Sequence, residues 1–160
     1  SLLQENSAEV LLRRERIIQE IIFESIKTKS KIVIADEKEN GLRAILNFGH
    51  TFGHAIEANG KYKKILHGEA VAKGMLIASR ISFLENLITL KDLKKIELLL
   101  KDFKFDLSLD EYQYSDLKPY IYRDKKVKAG KLNLILLEKI SKAKITNTFN
   151  PKNLSKAFAI

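Results

Sequence analysis

Six of the seven glycines and all three histidines of this chain fall between Gly41 and Gly74, and the two prolines, Pro119 and Pro151, lie far downstream. Most of the special backbone positions and every imidazole therefore share one stretch. A scaffold need not show that concentration, whereas a site often does. Around it the apolar spacing is helical. Ala8 to Lys27 reads as a helix on Leu11, Leu12, Ile18, Ile21, Ile22 and Ile26. Lys31 to Ala35 (KIVIA) fits a short strand or a buried helical turn equally. Leu42 to Ala58 is helical by spacing, with Asn59-Gly60 as its stop signal. His67 to Leu87, rich in Ala, Gly and Ser, reads as a buried helix that lets neighbouring backbones approach closely. Leu90 to Phe103 is amphipathic, with Leu93, Ile96, Leu99, Leu100 and Phe103 inward.

Ser115 to Arg123 reads as a short helix interrupted by Pro119. Leu132 to Leu137 and Ala143 to Phe149 read as a hairpin around Glu138 to Lys142. The expected fold is mainly α and multihelical, a single domain over residues 1–160, with a small β-hairpin near the C-terminus. At 160 residues, 45% of them hydrophobic and 31% charged, the chain buries about 70% of its unfolded surface and is no disordered tail. It has no cysteine, which excludes disulfide scaffolds, thiolate zinc sites and cysteine nucleophiles. No apolar run approaches the roughly 18 residues of a membrane helix, and nothing N-terminal reads as a signal peptide. The net charge of +9 raises nucleic acid as a partner, but lysines spread singly between apolar positions, without an Arg-rich tract, fit a small acidic substrate equally. The chain begins with Ser1 and its one methionine is Met75, which suggests a piece of a longer protein.

Placed on a helix at roughly 100° per residue, Arg43, Asn47, His50, His54 and Glu57 fall within an arc of roughly 80°. Leu42, Ile45, Leu46, Phe52 and Ile56 form a separate apolar face. The polar stripe holds no lysine and is rich in groups that donate, accept or ligate, unlike a solvated face. By spacing alone, His50 and His54 at i and i+4 could share a metal. Thr51 stands where an HExxH motif carries its general-base glutamate, so the zincin pattern is not met. His67 adds a third imidazole at the start of the next helix, where the macrodipole favours a neutral ring. Zinc with two or three nitrogen or oxygen ligands and an open position is the natural guess.

Three blocks carry more specific information: Asp36-Glu37-Lys38-Glu39-Asn40-Gly41-Leu42-Arg43, then Leu46 to Glu57 (LNFGHTFGHAIE), then Leu66 to Ala72 (LHGEAVA). With Arg123-Asp124-Lys125-Lys126 and a hairpin after Gly130, they resemble the 3-dehydroquinate synthase family in sequence, spacing and order over about Lys29 to Phe149. The resemblance implies the helical C-terminal domain of that family, without the N-terminal nucleotide-binding domain that holds NAD. It implies conversion of 3-deoxy-D-arabino-heptulosonate 7-phosphate to 3-dehydroquinate and phosphate in the shikimate pathway. The route runs by alcohol oxidation with NAD, phosphate elimination, carbonyl reduction, ring opening and aldol closure.

Residue by residue, the resemblance makes His50 and His67 ligands of a divalent metal, zinc or cobalt, and puts His54 near the substrate phosphate instead. Arg43 and Lys29 match cationic contacts, Asn47 a substrate hydrogen-bonding position and Glu39 a carboxylate facing the site. One of Lys125 and Lys126 reaches the phosphate. The family's zinc glutamate, its dinucleotide-binding glycines and its N-terminal lysines have no counterpart here, so the chain alone is expected to be inactive. Ser141 stands where the family's hairpin often has glycine, which bears on turn geometry. The resemblance further implies a cytoplasmic homodimer acting on a small phosphorylated keto acid, with no nucleic-acid or membrane partner. Another sugar-phosphate cyclase of the same fold is the alternative closest in kind. A non-catalytic basic helical module for anions or nucleic acid is the alternative of a different class.

Overall fold

A computed structural model describes residues 2–38, 41–60, 65–123, 127–128 and 131–160. Two short helices, α1 (Leu2–Glu5) and α2 (Ser7–Leu11), lead into the long α3 (Glu15–Ala35). A 3₁₀ segment (Leu42–Asn47) precedes α4 (His50–Asn59), α5 (His67–Leu84), α6 (Leu90–Asp102) and α7 (Tyr114–Ile121). The β elements are two antiparallel pairs: β1 (Val127–Lys128) with β2 (Lys131–Leu132), and β3 (Leu134–Lys139) with β4 (Lys142–Thr146). A last helix, α8 (Lys152–Lys156), follows. The fold is mainly α with a small β portion near its end, as the periodicity predicts.

The core is built around α5, the helix that combines small residues with aliphatic ones. Ala70, Leu76, Ile77, Ala78 and Ile81 are buried against Phe52, Ala55 and Ile56 of α4, Leu117 and Ile121 of α7, Leu134 and Leu136 of β3, and Leu154 of α8. Ile88, Leu93 of α6 and Leu137 of β3 form a smaller cluster. The β3–β4 register pairs Leu134 with Thr146 and Leu136 with Lys144, and shifts between Leu137 and Lys139. Ser141 turns that hairpin at φ 81, a left-handed conformation that glycine adopts without strain.

Two local expectations differ from what is observed, and one open alternative is decided. The N-terminal helix is interrupted, because Arg13 adopts φ 55 between α2 and α3. The KIVIA segment is the last turn of α3, not a strand. Finally, Leu42 to Ala58 is not one helix: Phe48 leaves helical geometry at ψ 128 and Gly49 adopts φ 83. A left-handed residue cannot carry the i to i+4 ladder onward, so the polar stripe is divided between two elements. Much of the apolar periodicity before residue 36 also faces outward: Leu12, Ile22, Phe23, Ile26 and Ile34 are exposed, and Ile17 is the buried member of α3.

Candidate functional site

The three imidazoles meet because α4 and α5 cross at glycine. A Cβ on Gly74 would lie 2.1 Å from the Gly49 carbonyl oxygen and 2.7 Å from the Gly53 nitrogen. A Cβ on Gly49 would lie 2.6 Å from the Met75 nitrogen, and one on Gly53 would lie 3.1 Å from Val71 Cα. Side chains at these positions would hold the two backbones apart. Without them, the first turns of α4, carrying His50 and His54, come level with His67, the first residue of α5.

The ring centroids of His50 and His54 are 5.4 Å apart, those of His50 and His67 5.6 Å, and those of His54 and His67 6.0 Å. His50 is half-buried, with Nδ1 3.4 Å from the Phe48 carbonyl oxygen, whereas His54 and His67 are exposed. Beneath them lies Glu57, whose side chain is 11% exposed and whose Oε1 is 3.1 Å from His67 Nδ1. One ligand atom from each of His54, Glu57 and His67 falls within 4.8 Å of the others. A patch of imidazole nitrogens with a carboxylate is a borderline donor set that suits zinc or cobalt better than magnesium or calcium. The residues present therefore fit a divalent transition metal.

Two ligand sets compete within this patch. The compact geometric group is His54, Glu57 and His67, whereas the sequence-based expectation is His50 with His67. The hydrogen bond decides how Glu57 is read. Its Oε1 is engaged with His67 Nδ1, which leaves His67 Nε2 and the second carboxylate oxygen as the remaining ligand atoms of the pair. The His50 ring centroid is the nearer to His67, 5.6 Å against 6.0 Å for His54, whereas the ligand atoms group His54 with His67 and Glu57, so the two measures point to different second ligands.

Arg43 and Asn47, both half-buried, lie on the 3₁₀ segment, which packs against α3, β3 and β4, and not on the helix that carries the histidines. Asp36 at the end of α3 fixes the start of this segment, since Oδ2 accepts from the backbone N–H groups of both Gly41 and Arg43 at 2.9 Å. The Arg43 Nη1 donates to the Glu37 carbonyl oxygen at 3.1 Å, which aims the guanidinium along this loop. A guanidinium has five N–H donors, so one carbonyl does not exhaust it. Lys29 is exposed on α3 and lines a groove with Leu46, the neighbour of Asn47. Glu39, Lys125 and Lys126 lie outside the described residues.

Sequence reasoning placed Glu57 on the stripe but gave it no role, and it passed over Asp36. The signal for Asp36 was its place a few residues before an Asn-Gly pair in the sequence, where a short carboxylate can bond backbone N–H groups further on. Lys73 of α5 was missed too. It is 4% exposed, its Nζ lies 2.9 Å from Asp106 Oδ2, and it also donates to the Ser108 carbonyl. The Ser108 backbone N–H first, and Lys73 second, hold the Asp106 carboxyl below the ordinary aspartate range. This pair ties the segment after α6 to α5 and thereby braces the helix that carries His67. Among the described residues no helix is long and apolar enough to cross a membrane.

Comparison with known proteins bears on the family and the fold. Residues 1–127 match the family described as 3-dehydroquinate synthase C-terminal. A 3-dehydroquinate synthase of Dictyoglomus thermophilum is 45% identical over 155 residues, covering 97% of this chain and 43% of the relative. One of Acinetobacter baumannii is 37% identical with the same coverage of both. The chain thus spans less than half the length of the curated relatives it matches. Among solved structures, a 2-epi-5-epi-valiolone synthase from Streptomyces hygroscopicus with NAD+ and Zn2+ bound superposes with a TM-score of 0.87. The match covers 99% of this chain and 44% of that one, and at 18% identity it speaks for the fold. A 2-deoxy-scyllo-inosose synthase complexed with carbaglucose-6-phosphate, NAD+ and Co2+ is 30% identical with a TM-score of 0.62, covering 72% of this chain and 34% of that one.

Proposed function

The chain belongs to the 3-dehydroquinate synthase family, and on that premise we propose that residues 1–160 are the metal- and substrate-binding half of that enzyme. The reaction is conversion of 3-deoxy-D-arabino-heptulosonate 7-phosphate to 3-dehydroquinate and phosphate, a lyase step of aromatic amino acid biosynthesis. The observation that carries the reading is the convergence of three imidazoles within 6.0 Å of one another at the α4–α5 crossing. In this reading His50 and His67 hold the divalent metal, zinc or cobalt. His54, the more exposed of the two α4 histidines, faces the phosphate end of the substrate. When bound, the metal polarises substrate hydroxyls, and NAD, held by a separate nucleotide-binding domain, removes and returns the hydride.

The chain's own residues bind and orient. Arg43 and Lys29 meet the anionic ends of the substrate, and Asn47 donates or accepts at a hydroxyl. One of Lys125 and Lys126 neutralises phosphate, and Glu39 presents a carboxylate to the site. Without the nucleotide-binding half, the chain by itself is expected to turn over no substrate and to bind no NAD. A cytoplasmic homodimer is the compartment and assembly that go with this enzyme. The second reading, a related sugar-phosphate cyclase, is favoured by the 30% identity to 2-deoxy-scyllo-inosose synthase.

A chimera joining this chain to the N-terminal half of the Dictyoglomus thermophilum relative tests both. Phosphate release from the heptulosonate phosphate, dependent on NAD and divalent metal, is the expected result. Release only from sugar phosphates lacking a carboxylate would favour the second reading. A folded chimera inert toward both classes would refute the first reading and the second together.

A further inference from the structure

The geometry points to Glu57 as the positioning residue that sets the tautomer and direction of His67, so that its Nε2 is presented to the metal. This inference rests on the reading of His67 as a metal ligand. A carboxylate with 11% of its side chain exposed, in the last turns of α4 beside Phe52 and Ile56 of the core, is costly unless it has a partner. The partner that the structure supplies is His67 Nδ1 at 3.1 Å, ten residues on and in another helix.

A carboxylate only accepts, so Nδ1 carries the proton and Nε2 keeps its lone pair. An imidazole has one N–H in its neutral form, and which nitrogen holds it is decided by the stronger acceptor nearby. Glu57 also stands at seven residues from His50 and three from His54, on their face of α4, so its carboxylate lies beneath the point where the three rings converge. His67 begins α5 and its side chain is 59% exposed, so packing does little to hold the ring. The hydrogen bond to Glu57 is what fixes it. Carboxylate support of this kind raises ligand basicity and restrains the ring, and its loss typically weakens metal affinity about 10–100-fold.

The test uses the 160-residue chain, with imidazole tautomers read by long-range ¹H–¹⁵N NMR without metal and Zn2+ affinity read by competition titration. The expected result is a His67 protonated at Nδ1 in the wild type. Glu57→Ala should release that preference and weaken Zn2+ about 10–100-fold. Glu57→Gln, which keeps an accepting oxygen of the same reach, should retain the tautomer and lose less affinity. A wild-type His67 protonated at Nε2 would overturn the inference without any variant. An unchanged tautomer and Zn2+ affinity in Glu57→Ala would overturn it too. Loss of Zn2+ in Glu57→Gln as complete as in His67→Ala would make Glu57 a ligand and refute its positioning role. Zn2+ affinity untouched by His67→Ala would instead refute the metal role of His67, whatever the tautomer shows.

Discussion

Gly74→Ala is the smallest change that should disassemble the site from a distance. The new methyl carbon would sit 2.1 Å from the Gly49 carbonyl oxygen, where ordinary contact begins at 3.4 Å, so the helices must part by about 1.3 Å. The opposing atoms are α4 backbone, which cannot rotate aside as a side chain end can. Alanine gains about 1 kcal/mol over glycine in helix propensity. Against that, overpacking typically costs 1–3 kcal/mol, and a backbone clash of this depth belongs at or beyond the upper end. Separation also loosens Phe52 and Ile56 against Ile77, at about 0.8 kcal/mol for each methylene equivalent re-exposed. A net loss of about 2 kcal/mol or more follows, which for a domain of this size lowers Tm by about 4–8 °C. Thermal melts of the 160-residue chain followed by circular dichroism check it, with Gly68→Ala as control. A Cβ on Gly68, in the first turn of α5, meets nothing within 4 Å, so that variant should be neutral or slightly stabilised. If Gly74→Ala melts at or above the wild-type temperature, the close helix crossing is not what holds the histidines together.

Ser82→Ala should cost about 1–3 kcal/mol, because the buried Ser82 hydroxyl accepts from the Leu137 N–H at 2.9 Å and that donor would be left unpaired. Denaturant unfolding should show a lower midpoint at unchanged slope. Asp106 should give stability an acid limb. Its folded pKa is depressed, so its contribution is complete above the unfolded value near 3.9 and is lost as pH falls through the lower folded value. Asp106→Asn should flatten the melting temperature against pH below about 4. In the chimera, Arg43→Ala should lower kcat/KM about tenfold to a hundredfold by losing a charge-assisted contact of roughly 1.5–3 kcal/mol. Arg80→Ala should act on stability instead, because Arg80 Nη1 donates to the Ala157 carbonyl oxygen at 3.1 Å and binds α8 to α5. Equal kinetic losses at the two arginines would remove the special role of Arg43.

What was legible in the chain follows the range of the interactions involved. Helix α6 could be read because a sustained 3.6-residue period reports a buried face whatever covers it, and α5 because a long run of small and apolar residues almost free of charge marks a buried helix. The break at Gly49 could not, because a glycine inside a periodic run looks merely tolerated. Its left-handed conformation is fitted to Met75, twenty-six residues away in sequence. For the same reason His50, His54 and Glu57 do share a helix face, while Arg43 and Asn47 lie on a separate 3₁₀ segment. The apolar stripe of α3 was seen, yet periodicity does not say whether a face is covered, and Ile22, Phe23 and Ile26 are exposed. Glu57 was visible as part of a stripe and mute as to role, since its partner His67 lies in the next helix. Ser141 is the converse case: the family resemblance implied a glycine-like turn position there, and φ 81 is a local property.

The central claim, that His50 and His67 hold a metal while His54 faces substrate, is tested most directly by metal analysis of His50→Ala, His54→Ala and His67→Ala in the purified chimera. His54→Ala should retain stoichiometric zinc and lose about 10²–10⁴-fold in rate, the usual worth of a positioned proton-transfer group. The other two variants should lose both metal and activity. Zinc lost from His54→Ala as completely as from His67→Ala, and kept in His50→Ala, would contradict the account and assign the metal to the His54, Glu57 and His67 group instead.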